Sequence, residues 1–376
     1  MYRANPQRTG YIASPGPTEE PSLNWSYEIN SVESVRYCDD VIYVSDADTG
    51  VLHALTTNGV RRWRLDPFGV FPENHSEEPS QIVIDPETDT VVIVTTRGGI
   101  VLYSPDRQEG QWMWPPYQRA ELSWPHPRSE ALVTSDGSLF VLLRESLLEV
   151  DLREGEVVTE YCFGVGENDG LELVADEVPT EPIGLDDPLA YKNGSVLLSG
   201  PTRVDLPSGD VRWEASITKE DFSDEGRYEV QLGSEWFGIQ ESDVYYGLNG
   251  ALFQFDWKTG ERHWSVRHDT AFKPVLTDSS LYTRVENEIV AYDTETGDEA
   301  WRFTNTEAPL VSPVVAGDFL YTGEYQGGES SLFGIDAKSG EVAWETTVPG
   351  PGILYELIPA GRQLLAKCGD QLHSFK

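Results

Sequence analysis

Two stretches of the sequence carry side chains whose types and spacing could bind a metal ion. "SDADTG" places Asp46 and Asp48 ahead of Gly50, and calcium is bound by clustered carboxylate oxygens. His263 and His268 stand five residues apart, and imidazole nitrogens are common zinc ligands. The first stretch lacks the bidentate Glu of a calcium loop, and the histidine pair lacks a third ligand. The sequence therefore favours a hairpin turn in the first case and ordinary histidines in the second.

Two further groups could act as an acid or a thiol. Asp186 and Asp187 form a carboxylate pair in "GLDDPLAY", where a general-acid role is one interpretation and solvated loop acids are the favoured one. Cys38, Cys162 and Cys368 have no metal or redox spacing. The sequence also contains no GxSxG, HExxH, P-loop or GxGxxG motif. These residues give no chemical signature, so we predict no catalytic, cofactor-binding or metal-binding residue.

A longer pattern, Asp-x-x-x-Gly-x-x-x-Trp, recurs along the chain. Its five strict copies are Asp106–Gly110–Trp114, Asp205–Gly209–Trp213, Asp256–Gly260–Trp264, Asp293–Gly297–Trp301 and Asp336–Gly340–Trp344. Gly59 and Trp63 follow a shortened turn, whereas Asp151 and Gly155 precede Thr159 at the Trp position. Trp25 has the flanking strand pattern but no turn before it. Internal repeats of this kind determine the fold prediction.

The repeat has a physical reason as a β-hairpin. Alternating apolar stretches flank each copy, the Asp can accept hydrogen bonds from the amides that follow it, and Gly supplies a positive φ. The Trp then lies at a fixed depth on the second strand, where a large side chain needs an equivalent surface in the next unit. We therefore predict that seven tryptophans dock each unit on its neighbour: Trp25, Trp63, Trp114, Trp213, Trp264, Trp301 and Trp344.

The units predict an all-β propeller. Two more strand-like runs precede each hairpin, and four antiparallel strands at a period near forty residues are typical of a propeller blade. The closing positions at 25, 63, 114, 159, 213, 264, 301 and 344 predict eight blades, or seven if the copy around Thr159 is an insertion. The strand at Trp25 completes the last blade. We expect a lead segment at residues 1–20 and one propeller domain at residues 21–376.

Closure of the ring makes one disulfide possible. Cys38 falls in the first blade and Cys368 in the last, and these blades are neighbours in a closed ring. A disulfide between them is therefore the alternative to free, buried thiols, which are favoured because both residues occupy strand contexts.

The composition is strongly acidic. The chain has 64 Asp and Glu against 27 Lys and Arg, a formal net charge of −37. Such an excess keeps a protein soluble in concentrated salt, where the Debye length falls to about 3 Å at 1 M. We interpret it as a halophilic surface and expect no nucleic-acid partner, because no basic stripe interrupts it. No apolar run is long enough for a transmembrane helix, and no signal peptide opens the chain.

The repeat resembles the PQQ-repeat propellers, named for quinoprotein alcohol dehydrogenases and shared by BamB-like proteins. The resemblance covers roughly residues 20–376, and "MYRANPQRTGY" resembles the lead of haloarchaeal members. In the family, a closing Trp docks each blade on the next. The enzymes hold pyrroloquinoline quinone (PQQ) with calcium, a catalytic Asp and, in many members, a disulfide between adjacent cysteines. This chain has no adjacent cysteines and no matching calcium set, so the resemblance implies the fold without the active site.

Four long connections follow the closing positions 63, 114, 159 and 213, at residues 66–80, 115–128, 163–187 and 218–236. Each precedes the innermost strand of the next blade, which places all four on one face around the channel mouth. Loops gathered on a rigid scaffold commonly bind partners, and aromatic and Arg residues dominate binding energy. Our candidate partner-binding residues are Phe68, Phe71, Tyr117, Arg119, Trp124, Arg128 and Trp236; local packing against the blades is the alternative for each.

Two functions follow as expectations. The first is a non-catalytic, monomeric scaffold that binds a protein or peptide at the loop-rich face, by resemblance to BamB-like proteins. It would be extracytoplasmic in a halophile, secreted or lipid-anchored, with its signal absent from this chain; a cytoplasmic location is the alternative. The second is a small PQQ-dependent oxidoreductase with calcium, whose carboxylates would converge on the channel.

Overall fold

The computed structural model describes residues 11–12, 15–30, 32–38, 40–46, 48–66, 79–85, 90–95, 100–105, 109–114, 132–133, 137–142, 146–165, 171–173, 190–198, 201–206, 208–217, 221, 236–248, 251–267, 274–304, 308 and 310–376. These residues form an eight-bladed β-propeller of antiparallel blades. Two strands precede the first complete blade, β1 (Tyr11–Ile12) and β2 (Leu23–Glu28). The prediction of eight blades is confirmed, and the seven-blade alternative is wrong, because the copy around Thr159 closes a blade of its own.

The first four blades follow in chain order. Blade 1 contains β3 (Val32–Cys38), β4 (Val41–Asp46), β5 (Leu52–Thr56) and β6 (Arg61–Leu65). Blade 2 contains β7 (Pro79–Asp85), β8 (Thr90–Thr95), β9 (Ile100–Ser104) and β10 (Glu109–Trp114). Blade 3 contains β11 (Leu132–Val133), β12 (Ser138–Leu142), β13 (Ser146–Asp151), β14 (Glu156–Val165) and a fifth strand, β15 (Leu171–Leu173). Blade 4 contains β16 (Ala190–Lys192), β17 (Ser195–Leu198), β18 (Thr202–Asp205) and β19 (Val211–Glu214).

The last four blades also follow in chain order, apart from the strand that completes blade 8. Blade 5 contains β20 (Trp236–Gln240), β21 (Asp243–Leu248), β22 (Ala251–Asp256) and β23 (Arg262–Arg267). Blade 6 contains β24 (Val275–Leu276), β25 (Ser280–Val285), β26 (Glu288–Asp293) and β27 (Glu299–Phe303). Blade 7 contains β28 (Val314–Ala316), β29 (Phe319–Gln326), β30 (Glu329–Asp336) and β31 (Val342–Val348). Blade 8 contains β32 (Leu354–Ala360), β33 (Gln363–Cys368) and β34 (Gln371–Phe375), with β2 as its fourth strand.

The apolar core lies between the blades. Buried residues from blade 1, such as Tyr43, pack with residues from blade 2, such as Ile93, and the same holds for blades 6 and 7, where Tyr282 packs near Phe333. Blade 8 contributes Leu365 to the core that it shares with blade 1, which closes the ring. Each blade therefore buries both of its faces against neighbours, as expected when alternating strand residues point to opposite sides.

The alternation of strand direction gives the disc two distinct faces. The connections between blades, and the turns from second to third strands, lie on one face, here called the loop-rich face. The turns from first to second and from third to fourth strands lie on the opposite face, here called the turn face. The repeated Asp and Gly residues are on the turn face, because they join the third and fourth strands of each blade.

The N-terminal strand closes the ring, as predicted. Strand β2 pairs antiparallel with β34, and Trp25 lies opposite Ser374. Ser22 and Lys376 exchange two backbone hydrogen bonds, of 3.0 and 3.1 Å. The closure joins the two ends of the chain by backbone pairing, which gives blade 8 its fourth strand.

Part of the predicted lead segment also packs within the propeller. Strand β1 pairs parallel with β28, the innermost strand of blade 7, with Tyr11 opposite Val315 and Ile12 opposite Ala316. All other strand pairs of the described residues are antiparallel. The described residues of the whole chain include no helix with the length and apolar character needed to cross a membrane.

Candidate functional site

The repeated Asp residues hold hairpin turns. In the blade 5 copy, Asp256 Oδ1 accepts hydrogen bonds from the amides of Lys258 and Thr259, at 3.0 and 2.7 Å. The Gly260 amide donates to the Asp256 carbonyl at 2.9 Å, and Gly260 has a φ of 72°. The hydroxyl and amides of this turn lower the pKa of the Asp256 carboxyl, with the Thr259 hydroxyl contributing most. The carboxylate is thus engaged in the turn, as its sequence predicted.

The repeated tryptophans join neighbouring blades. Trp301 of blade 6 donates its Nε1 hydrogen to the carbonyl of Ala337 in the blade 7 turn, at 3.0 Å. The same bond recurs elsewhere, to the residue that follows the turn's Asp or its equivalent: Trp25 to Thr57, Trp213 to Trp257 and Trp264 to Thr294. Trp344 donates to Pro17 at 3.3 Å. Trp63 packs against Tyr43 and Tyr103, with ring centroids 5.9 and 5.6 Å apart; Trp114 lies on β10, and its side chain lies outside the described atoms.

Four of the docking tryptophans pack against the turn glycine of the next blade: Trp25, Trp213, Trp264 and Trp301. A Cβ atom on Gly340 would lie 2.7 Å from the Trp301 ring, and one on Gly297 would lie 2.7 Å from Trp264. Such distances are too short for a real Cβ, so the turn Gly is needed for contact as well as for its positive φ. These contacts explain why the repeat contains both the Gly and the Trp.

The other sequence candidates are turns or ordinary side chains where they are described. The predicted turn at "SDADTG" is confirmed, because Asp46 Oδ1 accepts from the Asp48 amide at 3.0 Å between β4 and β5. His263 is exposed on β23, 3.8 Å from Asp243, while His268, Asp186 and Asp187 lie outside the described residues. In the described part of the chain, no group of three or more His, Cys, Asp or Glu side chains could hold a metal ion.

The two cysteines whose side chains are described form no disulfide with each other. Cys38 is half-buried on β3 and Cys368 is buried on β33, so the alternative of a disulfide between them is wrong. Burial raises the pKa of the Cys368 thiol, which donates to the Gly352 carbonyl at 3.1 Å. The side chain of Cys162 lies outside the described residues, although its backbone is on β14.

The candidate partner-binding residues fall mostly in connections that the structure does not describe: Phe68, Phe71, Tyr117, Arg119, Trp124 and Arg128. Trp236 is the exception. It begins β20 and is 2% exposed, packed in the core shared by blades 5 and 6 with Leu252 and Leu276. Because its ring is buried, Trp236 is a packing residue in this structure, in line with the alternative of local packing.

A different pair of apolar residues is exposed on the loop-rich face. Ile353 and Tyr355, at the connection from blade 7 to blade 8, are 45% and 56% exposed. Strand β32 has a β-bulge at Tyr355, where Leu354 pairs with Cys368 and Glu356 with Lys367. A bulge turns a side chain away from the regular alternation. The bulge therefore directs Tyr355 into solvent at the start of the innermost strand, with the Lys367 ammonium 6.0 Å from its ring centre.

The backbone beneath this pair is fixed by polar contacts. The Gly352 carbonyl accepts a hydrogen bond from the Ser330 hydroxyl at 3.1 Å, in addition to the Cys368 thiol. The Gly369 amide donates to the Ile353 carbonyl at 3.1 Å. A short connection held by three donors presents its side chains with little loss of conformational entropy on binding.

The preceding connection, from blade 6 to blade 7, is fixed in a similar way. Thr322 donates its hydroxyl to the Val311 carbonyl at 2.8 Å, and the Val311 amide donates to Gly323 at 2.8 Å. Arg284 of blade 6 donates to the Leu310 carbonyl, and burial lowers the pKa of this guanidinium. The described parts of the connections that lead into blades 7 and 8 are thus held by hydrogen bonds.

Sequence reasoning missed Ile353 and Tyr355. The stretch "GILYELIPAG" indicates a strand, and that strand is present as β32. The available signal was the position of two large apolar residues directly after "PGPG", where a short connection begins the innermost strand.

Comparisons with known proteins agree with the fold. Residues 199–360 match a family model described as "Outer membrane protein assembly factor BamB", and this range contains four of the five strict repeat copies. The crystal structure of BamB from Moraxella catarrhalis is similar, with a TM-score of 0.67 and 16% identity over 95% of this chain and 99% of that chain. The computationally designed Ika8 protein has a TM-score of 0.68 and 10% identity, over 95% and 99% of the two chains. No curated protein matches the sequence. These findings support a β-propeller of the PQQ-repeat type.

Proposed function

We propose that this propeller is a non-catalytic scaffold that binds a partner protein at its loop-rich face. The observation that carries the proposal is the exposed pair Ile353 and Tyr355 at the mouth of the channel, held on a bulged strand. Aromatic side chains on rigid backbone supply large contact area at low entropic cost, which is typical of binding hot spots.

The division of labour between the two faces supports this function. The turn face carries the Asp, Gly and Trp contacts that join the blades, for example Trp301 with Gly340 and Ala337. The loop-rich face carries connections of variable length. Binding residues are commonly found on loops that a rigid scaffold positions.

The likeness to BamB indicates the kind of partner. The matched family model and one similar structure are BamB proteins, and the printed description of the family is an outer membrane protein assembly factor. By that likeness we infer that the partner is a protein or peptide met outside the cytoplasmic membrane. We also propose that the scaffold acts as a monomer. The net charge of −37 fits a protein adapted to concentrated salt; a melting temperature that rises from low to molar salt would support this part.

Site-specific crosslinking tests the proposal. A photo-crosslinking amino acid replaces Ile353 in one variant and Val342, an exposed apolar residue of the outermost strand β31, in a matched control. In the cells that produce the protein, we expect one defined protein adduct at position 353 and none at 342. Addition of Tyr355→Ser to the first variant should abolish the adduct. Equal adducts at both positions, or an adduct indifferent to Tyr355, would contradict the proposal.

The alternative of a PQQ-dependent oxidoreductase is tested separately. No observation in the described residues favours it, and they supply no carboxylate set for calcium. We expect no change in melting temperature and no saturable absorbance change when the protein is titrated with PQQ and calcium in molar salt. Saturable binding that raises the melting temperature would establish a cofactor site and overturn the non-catalytic assignment.

A further inference from the structure

The lead segment lies on blades 7 and 8 in the manner of a bound peptide. Strand β1 adds to the inner edge of β28 by parallel pairing, and the Ile12 carbonyl accepts a hydrogen bond from the Gly317 amide at 2.9 Å. Addition of an extended peptide to an open sheet edge is a common mode of peptide recognition, in which backbone hydrogen bonds supply affinity. The inner edge of β28 therefore accepts an extended segment.

A second contact captures the carbonyl of Pro17. Tyr321 donates its hydroxyl hydrogen to this carbonyl at 3.1 Å, and Trp344 donates Nε1–H at 3.3 Å. Both side chains belong to blade 7, and both are buried. The carbonyl is thus bound by two donors in an apolar setting, where an unpaired donor would be costly.

The same pair of donors in other blades shows why this position needs an occupant. Tyr282 and Trp301 of blade 6 both donate to the Ala337 carbonyl, at 2.9 and 3.0 Å, and that carbonyl belongs to the blade 7 turn. Blade 8 has no such turn, because its third and fourth strands are joined across the two chain ends. The donors of blade 7 consequently form a socket that a separate segment must fill, and Pro17 fills it.

The segment between the two contacts has specific steric requirements. A Cβ atom on Gly16 would lie 2.7 Å from the Tyr321 hydroxyl oxygen, so a side chain at this position would collide with the socket. Pro15 rests on the first turn of blade 7, where a Cβ on Gly317 would lie 3.2 Å from the Pro15 Cα. Proline has few backbone conformations to lose, which favours ordered binding of Pro-Gly-Pro.

We propose that the inner edge of β28 and the Tyr321–Trp344 socket together form a peptide-binding site, occupied in cis by residues 11–12 and 15–17 of the chain itself. Its ligand is an extended peptide with the pattern Ile-x-x-Pro-Gly-Pro. The site lies on the turn face and the channel wall, so it is separate from the partner surface at Ile353 and Tyr355. A partner that carries this pattern binds by displacing the lead segment, which the short tether to β2 holds at an effective concentration of about 1 mM.

The test opens the site in the full-length protein. Gly16→Val places a side chain against Tyr321 and should release the lead segment while β2 stays paired with β34. A fluorescent peptide with the sequence of residues 9–19 is then titrated in molar salt, and its anisotropy is measured. We expect saturable binding to Gly16→Val and weaker binding to the unsubstituted protein, in which the cis segment competes. A peptide that carries the same Gly→Val change should not bind.

Controls separate recognition from misfolding. Tyr321→Phe on the Gly16→Val background removes one donor and should weaken peptide binding by about two- to tenfold. If Gly16→Val does not keep a native near-ultraviolet spectrum, Gly16→Ala replaces it. Exchange of the Gly317 amide is also followed in the variant, where it should be fast without peptide, slow with the Gly peptide and still fast with the Val peptide. No saturable binding to any folded variant, or equal binding of the Gly and Val peptides, would overturn the proposal.

Discussion

The joint between blades 6 and 7 and the joint between blades 3 and 4 use the same turn with different partners. In the first, Trp301 covers Gly340, whose Cβ position lies 2.7 Å from the indole ring. In the second, Thr159 stands at the closing position of blade 3, and none of the described residues lies within 4 Å of the Cβ position of Gly209. Among the described residues, the turn without a tryptophan is therefore uncovered.

The comparison separates two roles of the turn glycine. Gly209 and Gly340 have nearly the same φ, 75° and 74°, so both turns need a residue that tolerates the left-handed region. Only the glycine beneath a tryptophan is also needed for contact. The turn glycine thus has two roles: it allows the hairpin turn, and it leaves room for the tryptophan of the neighbouring blade.

The largest expected difference between the two joint types comes from removing the ring. Trp344 is buried and donates to Pro17, so Trp344→Ala should lower the free energy of unfolding by about 3–5 kcal/mol. Thr159→Ala, at the corresponding position of blade 3, should cost less than about 1 kcal/mol. Chemical denaturation in molar salt measures both. Equal losses would show that the tryptophan contacts do not stabilise the joints.

Glycine substitutions distinguish the two roles of the turn glycine, its positive φ and its contact with tryptophan. Gly209→Ala should cost about 1–2 kcal/mol, the penalty for a side chain in the left-handed region. Gly340→Ala incurs the same penalty and must also displace the Trp301 ring, which adds about 1–3 kcal/mol. The difference in unfolding free energy between these two variants isolates the docking contact. Identical values would show that the contact with Trp301 adds nothing to the need for glycine at this position.

The uncovered joint should also accept a tryptophan. Thr159→Trp places an indole over Gly209, with the carbonyl of Leu206 at the position that Ala337 occupies in blade 7. We expect a gain of about 1–2 kcal/mol from apolar burial, measured by denaturation. In the double variant Thr159→Trp with Gly209→Ala, this gain should disappear, because the added Cβ occupies the space that the ring needs.

The smallest expected effect is a loss of stability at acidic pH, and it involves β2, the strand that closes the ring. Ser26 and Tyr27 of β2 form hydrogen bonds with Nδ1 of His373 and His53, at 2.8 and 2.7 Å. Burial lowers the pKa of both histidines below 6.5. For His53, Arg61 and Arg64 act in the same direction, and Asp46 opposes them.

The sign of the pH effect follows from these shifts. The unfolded chain takes up protons near pH 6.5 and the folded chain at lower pH, so this stability is complete above pH 6.5 and is lost as the pH falls. The melting temperature should therefore decrease between pH 7 and pH 5.5. His373→Gln should flatten this dependence. A slope that His373→Gln does not alter would contradict this assignment.

The sequence was sufficient for the architecture because the repeat is local. Each Asp, Gly and Trp lies within nine residues of the others, so the hairpin, the blade count and the closing strand at Trp25 followed from spacing. The role of Pro17 did not follow, because its contacts are with residues more than 300 positions away. No local pattern marks such a contact.

The site was harder to predict for a similar reason. The sequence indicates Trp236 as the last residue of a long connection, whereas in the structure it is the first residue of β20 and its ring is buried. The sequence indicates a regular strand around Tyr355, and the shift in register between β32 and β33 turns this side chain outwards. Exposure at strand ends depends on pairing, which the sequence of one strand does not contain.

The central claim is that the repeat maintains the fold and the loop-rich face binds the partner. The most direct measurement follows the crosslinked adduct at position 353 together with the melting temperature in two backgrounds, Gly340→Ala and Tyr355→Ser. We expect Gly340→Ala to lower the melting temperature and keep the adduct, and Tyr355→Ser to keep the melting temperature and abolish the adduct. An adduct that is lost with Gly340→Ala in the folded protein and kept with Tyr355→Ser would contradict the account.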